Sequence, residues 1–143
     1  MSLALYALTQ LTAWPDLTEA VPSCGRGHAL CSPHGEIVHF HSEQEADLHL
    51  TARFIHQFEA RLKKSSAVRL VPSSQWVTIR LETISDIQLL LTLMSLALWA
   101  HSTWPVPGAA PWPRCNVRHH HGKELSPECL GDDRRTHSGQ VAQ

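Results

Sequence analysis

The alternation of polar and apolar residues over positions 36–50 limits what this chain can fold into more than any other feature. His39 and His41 alternate with Val38 and Phe40, and Asp47 and His49 alternate with Leu48 and Leu50. A period of two puts successive side chains on opposite faces of a strand, so each strand has one apolar and one polar face. Positions 42–46 between them predict a hairpin with a five-residue loop. Symmetric pairing about that loop sets His41 opposite Asp47 and His39 opposite His49, with Cβ atoms roughly 4.5–5.5 Å apart. One face then gathers three imidazoles and a carboxylate. A slip of one residue would scatter them.

A chain of 143 residues has the length of one domain. Its formal charge of −1 is not that of an electrostatic nucleic-acid binder, which carries a basic patch or stripe. The four cysteines, in a chain opening Met1-Ser2-Leu3-Ala4-Leu5-Tyr6 with no basic n-region, are expected to be reduced thiols in a cytoplasmic protein. The apolar run 87–100 is broken by Gln88, Thr92 and Ser95. It is shorter than the about 20 residues of a bilayer span, so it reads as a buried core helix and no membrane partner is expected.

Elsewhere the pattern alternates between helix and strand. Leu3, Leu8 and Leu11 predict a helix over 3–13, which Trp14-Pro15 ends because the residue before proline is pushed out of the α region. The segment 24–32 reads as a strand turning at Pro33-His34-Gly35 into the 36–41 strand. Thr51 is placed to cap a helix running to about Lys64, with Phe54, Ile55, Phe58 and Leu62 as its stripe. Strands follow at 68–71 and 76–81. Thr83 or Ser85 then opens a last helix with Ile84, Ile87, Leu91, Met94 and Leu98 as its seam. The order α-β-β-β-α-β-β-α predicts an α+β fold, a small antiparallel sheet with its helices on one face. The domain spans 1–104. Positions 105–143, rich in proline and carrying the 119–121 histidine run, read as a disordered tail.

By parity, the face away from the helices carries His39, His41, Asp47, His49, Arg69, Trp76, Thr78 and Arg80. That mixture suits an aromatic or anionic small molecule held by imidazole and guanidinium donors and stacked on indole. Glu36 falls on the apolar-face parity, where it reads as a partner for neighbouring backbone or an arginine. Cys24, His28 and Cys31 lack the spacing of a zinc knuckle. Cys115 beside the 119–121 histidines reads as incidental.

These residues carry a resemblance. Trp14, Gly25 and Gly27, then Glu36-Ile37-Val38-His39-Phe40-His41, Asp47, Pro72-Ser73-Ser74-Gln75-Trp76-Val77-Thr78, Asp86 and the 93–98 helix end resemble the luciferase-domain family. This small domain is shared by fungal luciferases and many short bacterial proteins. The resemblance covers about residues 10–101. It departs at Ser65-Ser66-Ala67-Val68-Arg69, where the fungal enzymes carry a Gly-Trp-Gly-x-x-His segment. It implies the fold and the place of the site more than an activity.

Three functions fit. The first is an oxygenase-type enzyme, metal-assisted or cofactor-independent, acting on a phenolic or polyketide-like small molecule. His39, His41, Asp47 and His49 would carry the catalysis, and Arg69, Trp76, Thr78 and Arg80 would bind the substrate. The second is a non-catalytic module that holds a small molecule or partner. The third is a regulator that dimerises through the 87–100 helix. If a cofactor is present, a divalent transition metal on His39, His41 and His49 matches those ligand types.

Overall fold

The computed structural model describes residues 2–22, 24, 25, 27–104, 115 and 116. Three helices and six strands follow one another: α1 (Leu3–Thr12), β1 (Thr18–Ala20), β2 (His28–Ser32), β3 (Gly35–Phe40), β4 (Glu45–His49), α2 (Ala52–Lys63), β5 (Val68–Leu70), β6 (Trp76–Arg80) and α3 (Ile84–Thr103). The strands form one antiparallel sheet in the order β1-β2-β3-β4-β6-β5. The expected α+β class holds, with one strand more than expected. β1 is a three-residue edge strand, too short for its Thr-Glu-Ala to show any period.

Caps fix where the helices begin. The Leu5 amide donates to the Ser2 hydroxyl and the Phe54 amide to the Thr51 hydroxyl. Thr83 and Asp86 exchange side-chain and backbone bonds in a capping box at the start of α3. The sheet buries Val38, Phe40, Leu48, Leu50, Val77, Ile79 and Leu81 against Leu8 and Leu11 of α1 and Ile87, Leu90 and Met94 of α3. Full burial of one such side chain contributes about 1.5–3 kcal/mol.

By length and composition α3 could cross a membrane, but Ile87, Leu90, Leu93, Met94, Ala97 and Ala100 lie in the domain core. Its seam differs from the expected one, since Ile84 is 55% exposed and Leu90, Leu93 and Ala97 face inward instead. A helix apolar on nearly every side carries no periodic signal of which side is buried.

Two features of register shape the polar face. β3 and β4 pair Val38 with Leu48, His39 with Asp47 and Phe40 with Ala46. The expected partners are therefore off by two positions, a shift that preserves parity and keeps His39, Asp47 and His49 on one face. Between β2 and β3, Leu30 pairs with Val38 while Cys31 pairs with Glu36, so Ile37 is the extra residue of a β-bulge. The bulge carries Glu36 from the apolar-face parity expected of it onto the face of His39.

Among the cysteines, Cys24 and Cys115 are buried. Cys31 is disulfide-bonded, which overturns the expectation of reduced thiols at that position. The expected tail also lies outside the described residues, apart from Cys115 and Asn116, which pack on the sheet.

Candidate metal centre

The polar face is not a solvated surface. His39, Asp47, His49, Trp76 and Thr78 are each at most 2% exposed. Buried polar groups of this density must be matched to one another or to a ligand.

The matching falls into three groups. In the first, Cys24, His39, His41 and Cys115 each offer one ligand atom, all within 4.8 Å of one another. Cys24 Sγ lies 3.7 Å from His39 Nδ1 and 3.1 Å from His41 Nε2, and Cys115 Sγ lies 3.2 Å from the same His41 Nε2. A tetrahedral zinc ion, with Zn–S near 2.3 Å and Zn–N near 2.0 Å, sets its sulfur and nitrogen donors roughly 3.5 Å apart. These three separations bracket that value.

Both imidazoles are backed by carboxylates. His39 Nε2 donates to Glu36 Oε2 at 2.7 Å, which turns Nδ1 toward the cluster. His41 Nδ1 lies 3.7 Å from Asp47 Oδ2. The hydrogen-bonded Glu36 carboxylate behind His39 fixes that ring's tautomer and raises its basicity. Burial by itself would lower the His39 pKa, but hydrogen bonds to Cys24 and Glu36 outweigh it and raise it to about 9. The metal-free cluster thus already holds a proton where a cation fits, and metal binding would displace it.

The loop before β2 explains how Cys24 arrives. Gly25 and Gly27 have φ of +80° and +78°, and a Cβ on Gly27 would collide with the Phe40 carbonyl oxygen. Only glycine lets the loop lie flat on β3, which brings Cys24 over His39 and His41.

The second group is a buried histidine relay. His49 Nδ1 is 2.8 Å from His101 Nε2, His49 Nε2 is 3.0 Å from Gln75 Oε1, and His101 Nδ1 is 3.4 Å from the Ser32 hydroxyl. Burial and the neighbouring His101 push His49 down to about 3, and burial pushes His101 down to about 4. Both rings are neutral and mutually satisfied. His49, expected among the metal ligands, instead belongs to this relay.

The third group surrounds Asp47. Thr78 donates to Asp47 Oδ1 at 2.7 Å, and the Asn116 amide donates to Asp47 Oδ2 at 2.8 Å. Trp76 packs between His39 and His49, with ring centroids 4.9 and 5.0 Å away, and shares a buried cluster with Cys24 and Cys115. Arg69 and Arg80 stand apart. Arg69 pairs with Glu45, Arg80 faces Glu82 and Asp86, and both border a surface hollow of about 640 Å³.

Sequence reasoning placed His39 and His41 together but missed both thiols. Cys24 and Cys115 are far apart in the chain and fall in no ligand-spacing motif. The one local signal for Cys24 was the glycine pair beside it.

The fold and site define an α+β domain with a buried thiol–imidazole cluster on its sheet. Residues 34–97 match the luciferase domain family, in keeping with the resemblance. That span holds His39, His41, Asp47, His49, Trp76 and Thr78, while both thiols lie outside it. No curated protein and no solved structure matches the chain.

Proposed function

We propose that this protein is a metal-binding luciferase-domain protein, holding a divalent ion of the zinc class on Cys24, His39, His41 and Cys115. The observation that carries the reading is the convergence of four donor atoms within 4.8 Å, three on buried residues and one on half-buried His41, with Glu36 behind His39 and Asp47 beside His41. Two thiolates and two imidazoles favour zinc over the hard cations, which take oxygen ligands. The two thiolates neutralise the ion, and their attachment to it fastens position 115 to the sheet.

Oxygenase-type chemistry on a phenolic or polyketide-like molecule is the enzymatic extension of this reading. Four protein donors close the coordination sphere, and a catalytic metal keeps one position open. Such an activity therefore requires that one donor give way.

Elemental analysis of the full chain tests the proposal. To exclude adventitious binding, His119, His120 and His121 are each changed to alanine. The expected result is one zinc per chain, lost in His41→Ala with the secondary structure kept. Metal-free protein, or equal zinc in His41→Ala, would refute it.

A further inference from the structure

We propose that the part of this face filled by Cys115 and Asn116 is a subsite for a thiol with an adjacent amide, the chemistry of a cysteinyl peptide. The chain's own Cys115-Asn116 pair occupies it as a replaceable ligand. The inference rests on the metal-binding reading above and names the ligand class of the same site.

Three of the four donors come from one compact part of the sheet, Cys24 from the loop before β2 and His39 and His41 from β3 and its end. Cys115 alone arrives from beyond α3, and it lies in neither helix nor strand. No ladder holds it there. Asn116 adds a set of hydrogen bonds to the sheet. Its backbone N–H donates to Asp47 Oδ2, and its Nδ2 donates to the Trp76 carbonyl at 3.2 Å and to Thr78 Oγ1 at 3.1 Å. Its Oδ1 accepts from the Ser74 hydroxyl.

These contacts state what the subsite recognises. A sulfur reaches the metal, an amide N–H one residue along meets a buried carboxylate, and a carboxamide fills a corner of one donor and two acceptors. The recognising groups are themselves anchored, since Thr78 also donates to Asp47 Oδ1 and both residues are 2% exposed. Asp47, Trp76 and Thr78 are also residues expected from the sequence to serve catalysis or substrate binding, and here they clasp a peptide amide. The occupant is intramolecular, with an effective concentration on the order of millimolar, so a free thiol displaces it only near or above that level. The exchange involves no oxidation. The incoming thiol gives its proton to solvent as its sulfur binds, and the departing Cys115 sulfur takes one up.

The test uses full-length Cys115→Ala loaded with cobalt(II), its fold checked by circular dichroism. Thiolate-to-cobalt absorption should fall to about half of wild type, one thiolate remaining of two. Titration with N-acetyl-cysteinyl-asparagine amide should restore it with saturation. The peptide should bind about tenfold or more tighter than 2-mercaptoethanol, the worth of one or two net hydrogen bonds, and the serine analogue should restore nothing.

A silent titration, equal affinity for 2-mercaptoethanol, or loss of cobalt from the folded variant would overturn the inference. Should Cys115→Ala fail to fold, full-length Asn116→Ala decides, because it keeps every metal ligand. Its Cys115 should be alkylated by iodoacetamide at least about tenfold faster than in wild type, and an unchanged rate overturns the proposal. Wild-type protein that takes up no cobalt would refute the metal-binding reading itself. Wild-type uptake followed by a silent titration would refute only the subsite.

Discussion

Replacing Glu36 with glutamine probes the site through an atom that touches no metal. Glu36 is 4% exposed and accepts the His39 Nε2 proton at 2.7 Å, so it sets which nitrogen faces the sulfurs. Glutamine keeps the shape and an acceptor oxygen but removes the charge. Outer-sphere partners of this kind typically change metal affinity 10–100-fold, or roughly 1.4–2.7 kcal/mol. A second signature appears without metal. Burial opposes the protonated ring, and Cys24 and Glu36 overcome that to hold His39 at about 9, against 6.5 unperturbed. A raised folded pKa means the ring's contribution to stability is full below about pH 6.5 and is lost as pH rises toward 9. In Glu36→Gln the His39 pKa should fall, so that loss should be smaller and complete at a lower pH. Competition against a chromophoric chelator measures the affinity, and histidine ring NMR on metal-free protein measures the pKa. Affinity within twofold of wild type in a folded variant, with the His39 pKa unmoved, would refute the role given to Glu36.

Three further outcomes are expected. Gly27→Ala should cost about 1–2 kcal/mol from its left-handed backbone alone, with more from the collision at Phe40; zinc affinity should drop with thermal stability because the loop carries Cys24. His49 and His101, held at about 3 and about 4, stay neutral in the fold while the unfolded chain protonates near 6.5. Stability should therefore fall as pH drops below about 6.5, by up to about 4 kcal/mol from the two at pH 5. Urea unfolding at pH 7 and 5 should show that loss shrinking in a His49→Gln, His101→Gln double variant. Leu48→Ala, at a fully buried core position on β4, should cost about 2–5 kcal/mol by the same assay.

The hairpin and its faces were legible because alternation is local, and a register error of two positions leaves faces unchanged. The caps at Thr51 and Thr83 were legible for the same reason. The bulge at Ile37 was not, since nothing in Gly35-Glu36-Ile37-Val38 distinguishes a bulged residue from a paired one, and so Glu36 was assigned to the wrong face. The buried side of α3 was hidden by its uniform apolarity. The thiols were hidden by distance, because Cys24 and Cys115 meet only through the closed tertiary structure. His101, at the end of that apolar helix, gave no sign of reaching His49.

X-ray absorption at the zinc edge of the full-length, zinc-loaded protein tests the central claim most directly. The account predicts a four-coordinate first shell of two sulfurs near 2.3 Å and two imidazole nitrogens near 2.0 Å, falling to one sulfur in Cys24→Ser. A first shell of nitrogen and oxygen alone, with no sulfur scattering, would contradict it.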